Sequence, residues 1–288
     1  MTNFPTREDL DMVALDLDGT VICPFGRSPI SERTVAAVAK LQERGLPVTF
    51  VTGRTEDYAL PIARRFGLEI PLVTYNGARL VCPLSQEVLY QASLPNSVAV
   101  KLVSWLRNSG EVVAVYLSEQ GRLNLIQNRC SGRPEHDDYL FGTPRRLVGE
   151  LTVHLESERV TVSKMIVCTQ RDLTTEVLRE FGPVAQVVRT HPELVEVLPR
   201  GVTKGDGVVR LCARLGVKLS RVLAVGDQDN DLSTFEHCGY SVAMGDAPEH
   251  VKQRADFVTA PFEQDGCAEA LEKLLRLGLS GVQSQAAG

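Results

Sequence analysis

Met12-Val13-Ala14-Leu15-Asp16-Leu17-Asp18-Gly19-Thr20 sets four apolar residues directly against two carboxylates two positions apart. A short apolar run of this kind reads as a parallel strand buried on both faces. In an open α/β sheet, the residues just past the carboxyl end of such a strand are the ones that meet a ligand. Two further places repeat the pattern. Residues 47–51 run into Thr52-Gly53-Arg54, and residues 222–225 run into Gly226-Asp227-Gln228-Asp229-Asn230-Asp231. Carboxylates gathered at one sheet edge repel one another unless a cation neutralises them or a proton is shared. Magnesium, which takes oxygen ligands and keeps places for water and phosphate, suits that donor set. The five histidines show no metal-ligand spacing.

Working outward, Ser31 can cap a helix whose apolar face uses Val35, Val38 and Leu41, and Gly45 stands where a glycine would stop it. With its flanking strands this makes a β-α-β unit. The pattern continues with a helix over about 56–66, a strand over 70–74 and a turn at Asn76-Gly77. After Pro83 the texture becomes α+β. It predicts a helix at 97–108, strands at 112–117 and 123–127, and an irregular polar loop over 128–147. Strands at 151–155 and 164–168, a helix at 173–181 and strands at 184–188 and 194–198 follow. From Thr203 the α/β texture returns, with a helix to about Leu215, the strand at 222–225, a helix from Asp231 and a strand at 241–243. The expected architecture is a doubly wound, mostly parallel sheet built from both chain ends, 1–82 and 196–288, with 83–195 inserted as an α+β cap. Residues 279–288, rich in Gly, Ser, Gln and Ala, read as a frayed tail.

Composition narrows the function classes. At 288 residues the chain exceeds one small module, and 43% apolar with 23% charged residues is ordinary for a globular core. Thirty-one basic against 36 acidic residues give a net charge of −5 with no basic block, which argues against nucleic acid or an anionic membrane surface as partner. Seven scattered cysteines without a Cys-x-x-Cys pair suggest neither a disulfide framework nor zinc. With no signal pattern and no apolar run of membrane-spanning length, a cytoplasmic enzyme is expected, with no obligate protein partner evident.

Two rival motifs fail on their spacing. Asp227, Asp229 and Asp231 match the odd positions of a calcium loop, but Leu232 and Cys238 stand where that loop needs glycine and glutamate. Gly201-Val202-Thr203-Lys204-Gly205 lacks the order of a phosphate loop.

Taken together, the Asp16-Leu-Asp-Gly-Thr stretch, Thr52-Gly-Arg, Lys204 and Gly226-Asp-Gln-Asp-Asn-Asp resemble the haloacid dehalogenase-like (HAD) superfamily. The chain is most similar to its Cof-type phosphatases, in which a large α/β cap lies between the second and third motifs. Tyr75-Asn76-Gly77-Ala78, Glu196-Val-Leu-Pro-Arg-Gly and Glu263-Gln-Asp-Gly add to the likeness. The resemblance implies Asp16 as nucleophile and Asp18 as general acid/base. It implies Thr52 hydrogen-bonded to the phosphoryl group, Lys204 neutralising that group, Gly53 and Asn76 binding substrate, and Asn230 supporting the position of the phosphate. It further implies magnesium on Asp16, Asp227 and the Asp18 carbonyl, with Asp231 in support. The chemistry agrees: an aspartate can split hydrolysis into two displacements through an acyl-phosphate, and a second carboxyl can protonate the leaving alkoxide and then activate water. The expected substrate is a small phosphorylated metabolite, sugar phosphates first. A phosphomutase or phosphotransferase, and a non-catalytic phosphate sensor, are the alternatives. The polar stretch 129–146, with Arg129, Arg133, His136, Asp137, Asp138, Arg145 and Arg146, is expected to touch the leaving group.

Overall fold

The structure, a computed structural model, describes residues 3–23, 29–119, 122–130, 132, 145–156, 160–191 and 193–277. The chain begins with β1 (Met12–Leu15), α1 (Glu32–Glu43), β2 (Val48–Phe50), α2 (Glu56–Arg65) and β3 (Leu72–Thr74). An antiparallel hairpin, β4 (Arg79–Val81) and β5 (Val88–Gln91), follows, and then α3 (Asn96–Leu106), β6 (Val112–Glu119), β7 (Arg122–Gln127), β8 (Arg145–Leu147) and α4 (Leu151–Leu155). Next come β9 (Val160–Cys168), α5 (Thr174–Phe181), β10 (Ala185–His191), β11 (Leu194–Pro199) and α6 (Lys204–Leu215). The last elements are β12 (Val222–Gly226), α7 (Leu232–His237), β13 (Tyr240–Ala243), α8 (Glu249–Lys252), β14 (Phe257–Val258) and α9 (Gly266–Leu277).

The main sheet runs β14-β13-β12-β1-β2 with every pairing parallel. Its strands β1, β2 and β12 are buried on both sides because helices cover both faces. Val13 and Leu15 point into a core shared with α1, α2 and α9, while Met12 and Ala14 point the other way, against Val208, Leu211 and Cys212 of α6. The chain leaves β1 for β2 on one side and returns much later to β12 on the other. The crevice beyond the carboxyl ends of β1 and β12 is therefore the topological switch point, and Asp16 and Asp227 are the residues that follow those ends.

A second sheet, β10-β11-β9-β6-β7-β8, is antiparallel apart from the β7–β8 pair. Its strands alternate in the same way. Val113, Val115 and Val167 pack under α3, α4 and α5, whereas Ala114, Tyr116, Ile166 and Leu194 pack against Tyr75 and Ala78 from the end of the first segment. The sheet therefore lays one face on the first unit. β11 stays in it as far as Pro199, so the boundary expected between 195 and 196 falls inside this strand.

Two local expectations are corrected. Residues 151–155 form the helix α4, not a strand: Leu151, Thr152 and Leu155 are the buried positions, a helical spacing that a five-residue apolar run does not reveal. Residues 145–147, expected as loop, pair as β8 with β7. Most of the polar stretch 129–146, and the tail from 279, lie outside the described residues. No described helix is long and apolar enough to cross a membrane.

Candidate active site

Each motif reaches the switch point by a definable local cause. Asp16 leaves β1 with its backbone N–H bonded to the Val225 carbonyl, which ties the ends of β1 and β12 together. Gly19 follows at φ 84°, where an added Cβ would lie 2.3 Å from the Asp227 carboxylate, so only glycine lets the two loops close. Lys204 opens α6. Thr203 caps that helix, accepting from the Asp206 N–H at 3.1 Å while the Asp206 carboxylate accepts from the Thr203 N–H at 3.0 Å. Tyr75 and Asn76 both lie in the left-handed region, and Gly77 lies at φ 96° with its Cα packed against the Thr203 carbonyl. That turn brings Asn76 back to the second motif, where its N–H bonds the Thr52 carbonyl at 3.0 Å.

The charges converge as the sequence predicts for Asp16, Lys204, Asp227 and Asp231. Lys204 Nζ donates to Asp16 Oδ1 at 2.5 Å and to Asp231 Oδ1 at 2.7 Å, all three side chains being buried. Asp231 Oδ2 accepts the backbone N–H groups of Asp227 and Gln228. Thr20 and Gln228 donate to the two oxygens of Asp227. Carboxylate oxygens of Asp16, Asp227 and Asp231 lie within 4.8 Å of one another. Burial, reinforced by the charge of Asp231, pushes the Asp16 carboxyl well above the usual range, and the same two causes raise Asp227 to about 7. Burial alone would lower the Lys204 ammonium, but Asp16 and Asp231 more than reverse this and leave it raised. Crowded, desolvated oxygens whose ionisation is held back are the environment that a hard divalent cation would relieve. Asp16 and Asp227 fit as its ligands, whereas Asp231 is committed to Lys204 and the β12 loop.

Asp18 stands slightly apart. Both its oxygens accept from Arg54, at 2.9 and 2.6 Å, and the guanidinium also stacks over Tyr58. Thr52 Oγ1 accepts from the Arg54 N–H at 3.0 Å, which turns the second motif back on itself. Asn76 donates to Glu196 Oε2 and accepts from Asn230, both at 3.0 Å, and Gly53 packs on the Asn76 amide. The nine expected residues thus lie in one neighbourhood of contacts, and Asn76, Lys204 and Asn230 among them border an open cavity. Sequence reasoning left Arg54 without a role and overlooked Lys164, which reaches from β9 to the Gly53 carbonyl at 2.9 Å and to Glu196 at 3.2 Å. A signal existed: a lone lysine inside the apolar run of β9 must find a partner if that strand is buried.

A cavity of about 280 Å³ opens beside these groups, with Asn76, Lys204 and Asn230 on one wall and Gln186, Val188 and Arg189 of β10 on the other. Arg129 lines a different hollow, beside α3 and Leu151, and β8, which carries Arg145 and Arg146, is at the opposite sheet edge from β10.

Comparison with known proteins agrees with this geometry. A putative phosphatase of Haemophilus influenzae is 28% identical over 263 residues, covering 90% of this chain and 95% of its own. The 5-amino-6-(5-phospho-D-ribitylamino)uracil phosphatase of Bacillus subtilis is 28% identical, covering 92% of this chain and 98% of its own. Among solved structures, a HAD subclass IIB sugar phosphatase superposes with a TM-score of 0.78 at 25% identity, over 91% of this chain and 98% of that one. Residues 13–271 match the family model described as haloacid dehalogenase-like hydrolase, and the chain belongs to that family.

Proposed function

We propose that this hydrolase is a magnesium-dependent phosphatase of small phosphomonoesters, sugar phosphates foremost, that works through a phosphorylated Asp16. The observation that carries the reading is the buried Lys204 ammonium bridging Asp16 and Asp231 beside Asp227, at the switch point of a parallel sheet. Asp16 and Asp227, with the Asp18 carbonyl, would hold the magnesium ion, whose chemistry is to offset charge on the phosphoryl oxygens.

The protein's own groups then divide the work. A carboxylate oxygen of Asp16 attacks phosphorus and the bond to the leaving oxygen breaks, while Asp18, released from Arg54, gives that oxygen a proton. Asp18 next takes a proton from the water that attacks the phosphoryl-Asp16 bond, freeing phosphate and restoring the Asp16 carboxylate. Thr52 and the Gly53 backbone orient the phosphoryl group, Lys204 neutralises it, and Asn76, Asn230 and Asp231 fix the groups around it. Residues 83–195 are read as a lid that excludes water, with the cavity wall on β10 facing the leaving group. The uracil-compound and sugar phosphatases among the relatives support small phosphorylated substrates.

Purified protein should release phosphate from a panel of phosphomonoesters with magnesium present and stop when it is chelated. No release from any member, or full release in excess chelator, would overturn the assignment.

A further inference from the structure

Lys164 and Lys204 are the two buried lysines among the described residues, and the reading above gives a task only to Lys204. Lys164 pairs in register with Tyr116, whose ring packs against Tyr75, and this places it on the face of the second sheet that lies on the first unit. Its ammonium sits 4.9 Å from the centre of the Tyr116 ring and 5.6 Å from that of Tyr75. It crosses to the Gly53 carbonyl at 2.9 Å and pairs with Glu196 at 3.2 Å. Glu196, on the neighbouring β11, is itself fully buried.

The contacts beyond Lys164 have a direction. Paired with an ammonium, the Glu196 carboxylate acts as an acceptor, so Asn76 must turn its NH2 toward Glu196 and its oxygen toward Asn230. That oxygen accepts, so Asn230 must present its own NH2. One ammonium on the second sheet thus fixes the carbonyl of the phosphoryl-binding turn and the rotation of two side-chain amides in the crevice. We propose that Lys164 is a positioning residue through which the seated cap sets the phosphoryl-binding site, acting on Gly53 directly and on Asn76 and Asn230 through Glu196. The proposal rests on the phosphatase reading. The competing role is a pin that only holds the two units together.

Lys164→Met alone would take the ammonium away from a buried carboxylate that still accepts from Asn76, so the decisive protein is the double variant Lys164→Met/Glu196→Gln, in which both charges are gone and stability is largely retained. Thermal unfolding, turnover of nitrophenyl and alkyl phosphates, and inhibition by inorganic phosphate are measured on the full chain. The expected result is a melting temperature near wild type, with phosphate inhibition weaker by about tenfold and kcat lowered by the same factor for both substrates. A stable double variant with wild-type phosphate inhibition and kcat would reduce Lys164 to a pin. A loss confined to one leaving group would make it a substrate contact instead, and also overturn the proposal.

A second measurement needs no variant. The buried Lys164 ammonium meets reagent only in the opened form in which it has left Gly53, and a ligand that favours the seated form lowers that population, so inorganic phosphate with magnesium should slow reductive methylation of Lys164 in the wild-type protein by about tenfold, as read by mass spectrometry. An unchanged rate would overturn the proposal even if the double variant does not fold. Wild-type protein that neither turns over nitrophenyl phosphate nor is protected by phosphate would overturn the phosphatase reading as well.

Discussion

Asp16 and Asp18 stand two residues apart yet meet different partners, Lys204 and Arg54, and variants separate their tasks. Asp16→Asn keeps the shape but removes the attacking oxygen, so turnover should fall by about 10³-fold or more; near-normal turnover would exclude the covalent route. Asp18→Asn keeps its backbone carbonyl but loses proton transfer, at a cost of about 10² to 10⁴-fold on alkyl phosphates. The loss should be smaller on nitrophenyl phosphate, whose leaving group needs no proton, and an equal loss on both would contradict the acid role. Asp227 supplies a pH test. In metal-free protein it keeps its proton to about 7, whereas an unfolded aspartate loses its own near pH ~4. The folded state binds the extra proton between those values, so this group's contribution to stability falls as pH rises through that window. Magnesium competes with the proton and should therefore raise the melting temperature more at about pH 8 than at about pH 5. Equal stabilisation at both would contradict the shift.

At the scale of elements, α6 matters because its first residue is Lys204. Thr203→Ala removes the side chain that caps the helix and should cost about 1 kcal/mol in urea unfolding, with phosphate binding weakened as the first turn frays; unchanged stability would show that the cap is redundant. The same helix illustrates what the sequence makes legible. Thr203, the apolar face through Leu211 and the stop at Gly216 are local signals, and the structure has a helix over Lys204–Leu215. The fully buried strands β1 and β12 were equally plain, because an apolar run ending in carboxylates has few other readings. Residues 151–155 were not: five residues are too few for strand and helix periods to separate, and tertiary packing of Leu151 and Leu155 decides. β8 has no hydrophobic pattern at all, being Arg145-Arg146-Leu147 on an exposed edge, and only its pairing with β7 makes it a strand.

Across the whole molecule, the carboxylates and Lys204 could be read from sequence because each follows a recognisable strand or opens a recognisable helix. Arg54 on Asp18 and Lys164 on Gly53 could not, since those contacts depend on how the chain returns over itself, 36 and 111 residues away. The cavity wall on β10 escaped for the same reason: that strand carries no motif, and only the docking of the second sheet sets Gln186 and Arg189 opposite Asn230. If that wall selects substrates, Gln186→Ala and Arg189→Ala should reorder preferences among sugar phosphates while nitrophenyl phosphate hydrolysis stays within a few fold. An unchanged substrate profile in both would move specificity elsewhere. The central claim, a phosphoryl group carried on Asp16, has a direct chemical readout. An aspartyl phosphate is an acyl-phosphate that borohydride reduces to homoserine, so protein quenched during turnover and reduced should yield a peptide with homoserine at position 16, absent without substrate and absent from Asp16→Asn. An actively hydrolysing protein in which position 16 stays aspartate under those conditions, or in which another residue carries the phosphoryl group, would contradict it.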